Sequence, residues 1–303
     1  MTHNTIEVRG AVKRYGAIEA VNGVDLTIHG GEVFGLIGHN GAGKSTLFKL
    51  MLGLLPATAG DIHFDGSPVR GERFRQLRRH LGYLPENVVF YDNLSGRETL
   101  EFFAALKGVP GDECAPVLER VGLANAAGRR VRDYSKGMRQ RLGFAQALLG
   151  NPRWLFLDEP TNGLDPEGIR SFYSILREQR EQGATVVLTS HILAEIQERV
   201  DRLAIMKSGR IQALGTVASL REQMDLPLWF EWRMVHSSAD AVRAALVGIG
   251  ETVVEIQGER VALHCPRTAR MAVFAALATL GEQVADLAIR EPSLEDVFLG
   301  YAG

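Results

Sequence analysis

The densest chemistry in the chain sits in nine residues, Gly38-His39-Asn40-Gly41-Ala42-Gly43-Lys44-Ser45-Thr46. They fit the phosphate-binding pattern G-x-x-x-x-G-K-[ST], with Gly38, Gly43, Lys44 and Ser45 in register. Glycines at these places let backbone N–H groups turn inward around an anion, and a helix starting here adds the positive end of its dipole. Lys44 would reach the β- and γ-phosphates of a nucleoside triphosphate, and the Ser45 hydroxyl would hold Mg2+. A second cluster, Asp158-Glu159, closes the apolar run Trp154-Leu155-Phe156-Leu157. Two acids at the end of a strand buried on both faces are costly in a purely structural role. Asp158 would complete the Mg2+ shell through water, and Glu159 would act as general base on the water attacking the γ-phosphate.

Four further positions each carry two readings. Glu86 follows the strand Leu81-Gly82-Tyr83-Leu84, stopped by Pro85. It ligates Mg2+ or positions the attacking water, or it is an ordinary loop acid. Ser135-x-Gly137 is a second anion site or simply a helix cap. His191, just past the buried strand 184–190, bonds the γ-phosphate at the sheet edge of Asp158 or is structural. Tyr15 stacks on a purine base or plugs the edge of a sheet. Asn162-Gly163-Leu164-Asp165 reads as a tight loop beside the site.

The elements that must hold these residues are set by the apolar pattern around them. Residues 32–37 read as a buried strand, and Leu47, Leu50, Met51 and Leu54 share one face of the following helix. Residues 6–30 alternate as an antiparallel strand pair, and 61–66 form a further strand. Residues 70–79, with five arginines, read as a solvated surface. An apolar-aromatic loop at 87–94 is a docking surface for a partner, and Ser95-Gly96-Arg97-Glu98 is a capping box. Residues 96–150 read as helical, and 203–215 as a closing hairpin turned at Ser208-Gly209. From about residue 222 the order becomes β-α-β-β-α-β, the split arrangement of ferredoxin-like domains, without chemistry of its own. Met271 to Leu280 reads as a core helix there.

The 303 residues are enough for two domains, and 46% hydrophobic with 23% charged residues is ordinary globular composition. A net charge of −2 does not suggest a nucleic-acid partner. Cys114 and Cys265 lie far apart, which suggests a reducing compartment and offers no metal-ligand spacing. No signal pattern opens the chain, and no apolar run approaches the roughly 20 residues that span a bilayer, so membrane association would come through a partner.

Taken together, residues 6 to about 215 resemble the nucleotide-binding subunit of an ABC transporter. Gly38–Ser45 match its Walker A loop, Leu155–Asp158 its Walker B strand, Glu159 its catalytic glutamate, and Tyr15 its adenine-stacking aromatic. Gly163-Leu164-Asp165 match the D-loop and His191 the switch histidine. Ser135-x-Gly137 match the core of the LSGGQ signature, which in the family contacts ATP held by the opposite subunit. Lys136 replaces a signature glycine, and Glu86 stands where the family has the Q-loop glutamine. Both variants, and the tail Pro292-Ser293-Leu294-Glu295-Asp296-Val297-Phe298, resemble the ABC-2-type exporter branch.

The resemblance implies a P-loop NTPase ABC cassette over residues 1–220. It would have a mixed sheet core, an antiparallel β subdomain and a helical subdomain at about 87–150, followed by a small α+β ferredoxin-like domain over 221–303. It implies ATP and Mg2+ as cofactors, with Gly38 to Thr46, Tyr15, Glu86, Ser135, Gly137 and Asp165 contacting nucleotide, and Ser45, Asp158 and Glu86 contacting metal. It implies a homodimer on an integral membrane permease at the cytoplasmic face of the cell membrane. Ile37–Gly41, Tyr83–Val88, Leu94–Leu100 and Tyr134–Leu149 look similar to the ATPases of transporters that mature nitrous oxide reductase, a copper–sulfur enzyme. That implies a periplasmic accessory protein as well. A soluble ABC-type ATPase of ribosomes or DNA is the rival class. It is disfavoured by a single cassette and the lack of a heptad run. A binding-only regulator is disfavoured by the intact acid pair.

Overall fold

The structure, a computed structural model, describes residues 4–190, 196–223, 227–235, 239–250, 252–292 and 295–296. The chain divides into two compact units, Met1–Thr216 and Val217–Gly303.

The first unit contains two sheets. β1 (Ile6–Tyr15) and β2 (Ile18–Ile28) pair antiparallel, as their alternation requires. With β4 (Ala59–Phe64) and β5 (Ser67–Pro68) they make an antiparallel sheet of order β2-β1-β4-β5. The other sheet has the order β10-β9-β3-β8-β7-β6. Its strands are β3 (Val33–Gly38), β6 (Leu81–Leu84), β7 (Trp154–Asp158), β8 (Thr185–Thr189), β9 (Arg202–Lys207) and β10 (Arg210–Gly215). Five of these run parallel and β10 is antiparallel. β3, β7 and β8 are buried along their whole length, which is why their sequences are mostly apolar, with polar residues only at the ends of β7 and β8.

Helix α1 (Lys44–Met51) buries Leu47, Phe48, Leu50 and Met51 in the core shared by both sheets. Phe48 meets Phe156 edge-on at 5.2 Å, and Phe64 of β4 meets Trp154 of β7 at the same distance. Two expectations need correction. Leu54 does not continue the buried face, because the helix ends at Met51, Gly53 turns the chain at φ 63° and Leu54 is 55% exposed. The arginine-rich stretch is more than solvated surface: α2 (Gly71–Leu77) anchors Phe74 in the core against Phe64, and the Arg78 guanidinium lies over the Phe74 ring.

The helical region comprises α3 (Gly96–Lys107), α4 (Cys114–Arg120) and α5 (Lys136–Leu148), joined by short 3-10 turns. The Ser95/Glu98 capping box opens α3, satisfying two donors reciprocally. At its far end the Lys107 ammonium donates to the Leu149 carbonyl, and burial pulls its pKa from 10.5 down to about 8 against the opposing pull of Glu113. Because the folded value lies below the unfolded one, the unfolded chain binds the extra proton between those two values. Stability contributed by this group therefore rises as pH climbs from about 8 toward 10.5, by at most about 3 kcal/mol. Lys107→Met is expected to abolish that slope. The check is the difference between wild-type and variant melting curves across this range, which cancels the contribution of every other group common to both.

Helix α6 (Pro166–Glu181) follows β7. In the second unit, α7 (Val217–Gln223) precedes β11 (Leu228–Met234), α8 (Ala239–Ala245), β12 (Val253–Gln257), β13 (Arg260–Cys265), α9 (Arg270–Leu280) and β14 (Val284–Arg290). The sheet order β12-β13-β11-β14, antiparallel throughout, is the split βαβ arrangement. Phe230, Trp232, Val242, Leu263, Val273 and Leu277 form its core. Met271, at the head of α9, is 68% exposed, so that helix is amphipathic and not wholly interior.

Candidate functional site

Parallel register decides which residues meet. Leu36 lies beside Thr189, Thr189 beside Asp158, and Leu157 beside Leu84. The carboxyl ends of four neighbouring strands therefore open onto one edge, and the chain leaves there at Gly38, Pro85, Glu159 and Ser190. This is the edge at which open α/β sheets bind ligands.

The loop from Gly38 to α1 is fixed by close backbone packing. A Cβ on Gly38 would stand 2.5 Å from the Met206 carbonyl oxygen, and one on Gly43 would stand 2.3 Å from that of Ala20. Gly43 also has φ 105°, which side chains rarely adopt, so both glycines are dictated by space or conformation. The Ala42 N–H donates to His39 O at 3.0 Å, and the Gly209 N–H to Ala42 O at 2.9 Å, tying the loop to the β9–β10 turn. His39, Asn40, Gly41 and Ser45 are exposed and Thr46 is half-buried, so the outer rim is open to a ligand.

Lys44, 7% exposed, is turned inward. Its ammonium donates to the carbonyls of Gly38 and, at 3.2 Å, His39. Burial lowers its pKa below the usual lysine value, while Glu159, Asp158 and Glu86 pull it back up. Carboxylates from two different strand ends thus act electrostatically on one cation. The same burial, with Asp158 and Glu86, pushes the Tyr83 phenol up to about 12.

Asp158 is buried, and its Oδ1 accepts from the Thr189 hydroxyl at 2.6 Å. The Glu159 N–H donates to Thr189 Oγ1 at 3.0 Å, and Glu159 itself has φ 49°, left-handed backbone in a non-glycine residue. Such a residue costs about 1–2 kcal/mol. The donors that could meet Mg2+, namely the Ser45 hydroxyl and the Asp158 and Glu86 carboxylates, are all hard oxygens, which suits that ion. Among the described residues no group of three His, Cys, Asp or Glu is placed to hold a metal by itself. The remaining ligands would be phosphate oxygens and water, as is usual for Mg2+.

The other expected residues fall in separate places. Tyr15 is 47% exposed at the closed end of the β1–β2 hairpin, whose Ala20 touches Gly43, and Lys13 lies over its ring at 5.2 Å. Ser135 caps α5 by accepting the Met138 N–H at 3.2 Å. Gly137 packs on the Gly163 carbonyl, and the Lys136 stem lies against Gly163. The Asp165 Oδ1 caps α6 by accepting the Gly168 N–H at 3.0 Å and pairs with Arg141 at 3.2 Å. Gln140 donates to Pro160 O at 3.0 Å, so α5 grips the 160–165 loop at several points. His191 lies outside the described residues. Sequence reasoning missed Thr189, Gln140 and Arg141. The signal for Thr189 was its place at the end of an apolar run, one residue before a second polar group.

This loop, strand edge and acid pair define a P-loop nucleotide-hydrolysing fold. The ABC transporter family model matches residues 21–162. The daunorubicin resistance ATP-binding protein DrrA3 of Streptomyces coeruleorubidus is 36% identical over 316 residues, covering 100% of this chain and 97% of its own length. The lantibiotic transport ATP-binding protein SrtF of Streptococcus pyogenes is 38% identical over 206 residues, covering 68% of this chain and 88% of SrtF. A solved ATP-binding subunit of an ABC transporter superposes with a TM-score of 0.67 at 32% identity, over 72% of this chain and 92% of that one. The chain belongs to the ATP-binding subunits of ABC transporters, and its activity is the transport-coupled hydrolysis of ATP to ADP and phosphate.

Proposed function

We propose that two copies of this chain close around two ATP molecules and drive a membrane permease of the ABC-2 export type. The observation that carries this reading is the convergence of the glycine loop, the buried Lys44 and the Asp158–Glu159 pair on one carboxyl edge of the parallel sheet. In each copy Gly38 to Thr46 bind the phosphates, with Lys44 releasing its carbonyl contacts to reach them. Ser45, Asp158 and Glu86 hold Mg2+, which when bound neutralises phosphate charge. Glu159 takes the proton of the attacking water, His191 contacts the γ-phosphate, and Tyr15 stacks on the base. Ser135 and Gly137 of the second copy complete the enclosure, with Asp165 in the adjoining loop. The chemistry needs positioning and charge neutralisation more than covalent help. After hydrolysis the halves part.

The motion leaves through residues 87–94. Val89 is 85% and Tyr91 64% exposed, and Tyr91 stacks edge-on against Phe102 at 6.2 Å. Apolar side chains presented together in this way fit a protein interface. Among the described residues no helix is long and apolar enough to cross a membrane, in keeping with peripheral attachment through the permease at the cytoplasmic face. No nucleic-acid partner is proposed.

The cargo system we propose is nitrous oxide reductase maturation, with a periplasmic accessory protein, on the strength of the four stretches from Ile37 to Leu149 described above. Small-molecule export is the second reading, favoured by DrrA3, whose similarity runs through the whole chain including residues 217–303. Pull-down from solubilised membranes of the host tests both. Wild type is expected to retain a multispan permease and Val89→Glu/Tyr91→Glu to lose it with ATP hydrolysis intact. Retention by the double variant would remove the loop as docking surface. Co-capture of a periplasmic copper-handling protein supports the first cargo. A permease whose loss sensitises cells to an amphipathic drug supports the second.

A further inference from the structure

Thr189 is the last residue of β8, wholly buried, and its Cα is the register partner of Asp158. Its hydroxyl makes two bonds at once, to Asp158 Oδ1 at 2.6 Å and from the Glu159 N–H at 3.0 Å. The direction of both is fixed by chemistry. A backbone N–H only donates, so the hydroxyl accepts it and has one proton to give, which goes to the carboxylate. That second bond is charge-assisted and short. One oxygen of Asp158 is thereby pinned, which orients the plane of the carboxylate and the oxygen that remains for other work. The same hydroxyl closes the turn in which Glu159 sits in left-handed backbone, a conformation that persists only where its surroundings hold it.

We propose that Thr189 is a positioning residue for the hydrolytic step: a single hydroxyl sets the direction of the Asp158 carboxylate and the backbone of Glu159 together. It touches neither substrate nor metal and acts through the two acids. The inference rests on the roles proposed above for those acids. It adds that they are not independently placed. A neighbouring strand holds both in one geometry, and a change at Thr189 disturbs both. The sheet gives the linkage its stiffness, because Thr189 is fixed between Asp158 on one side and Leu36 on the other.

Four variants separate a hydroxyl effect from a packing effect. Thr189→Val keeps the branched shape and removes the hydroxyl, leaving a buried carboxylate oxygen of Asp158 and the half-buried N–H of Glu159 without this partner. Thr189→Ser keeps the hydroxyl and removes the methyl. Thr189→Ala, compared with Thr189→Ser, differs by the hydroxyl alone and serves if the valine variant does not fold. Glu159→Gln reports on the acid itself. The first readout is kcat against KM for ATP. Val and Ala are expected to lower kcat about 10- to 100-fold with KM moved less than about threefold, and Ser to keep kcat within about threefold of wild type. The second readout is independent of turnover. It is Mn2+ affinity, measured by electron paramagnetic resonance, for the protein loaded with a non-hydrolysable ATP analogue. It is expected to weaken about 3- to 10-fold in Val and Ala and to recover in Ser.

Wild-type kcat and Mn2+ affinity in Thr189→Val would overturn the proposal. So would a serine variant as impaired as alanine, since the methyl would then be what matters. Full turnover by Glu159→Gln would sink the general-base role, while the Mn2+ contrast between Ser and Ala, which runs through Asp158, would still decide for or against Thr189.

Discussion

Glu159→Gln is expected to cut ATP turnover by about 10²–10⁴-fold while leaving nucleotide binding in place. The amide has nearly the carboxylate's shape and, unlike it, cannot take a proton from water. Glu159 leaves β7 at the edge where Lys44 lies, and its charge is the strongest of the three attractions on that ammonium. Bound ATP brings its own negative charge to the same place. Loss of the Glu159 charge therefore removes a repulsion as well as a base, and the ATP-bound closed dimer should accumulate. Phosphate release and light scattering in the presence of ATP measure the two halves of this expectation. Turnover near wild type, or a monomer under saturating ATP, would take Glu159 out of the base role.

How much of this was open to inspection in the sequence depends on how local each feature is. The loop from Gly38 to Thr46 could be read directly, because its residue types and spacing form a contiguous pattern, even though the contacts that impose Gly38 and Gly43 come from Met206 and Ala20 on other strands. The acid pair could be read because Asp158 and Glu159 interrupt an apolar run whose burial makes charge conspicuous. Thr189 stood out only by its place at the end of an apolar run, since a threonine is unremarkable in a strand. Its importance comes from the register that sets β8 between β3 and β7, a consequence of strand order. Phe74 was masked by the arginines around it: one buried ring in seven helical residues is enough to dock α2. Asp165 carries a local role beside the nucleotide contact that family resemblance implies: one of its carboxylate oxygens is engaged by the N-terminus of α6 and by Arg141. An N-cap is a strictly local signal, and Asp165-Pro166 carries it clearly.

Lys44→Met should separate function from stability more cleanly than any other change. The lowered pKa of Lys44 means that desolvation outweighs the pull of Glu159, Asp158 and Glu86. Its buried position disfavours the charged form of the ammonium. Methionine keeps most of the apolar stem and removes the charge, so the melting temperature without nucleotide is expected to stay level or rise. Binding moves the other way. Charge-assisted bonds to phosphate are lost, at about 3 kcal/mol, so ATP affinity should fall about a hundredfold. Saturating ATP raises the melting point of the wild type by mass action, and that shift should disappear from the variant at the same concentration. If Lys44 instead served mainly to tie the loop through the Gly38 and His39 carbonyls, the variant would melt lower without nucleotide and still be protected by ATP. The two accounts differ in both measurements, so a single pair of melting curves per protein decides between them.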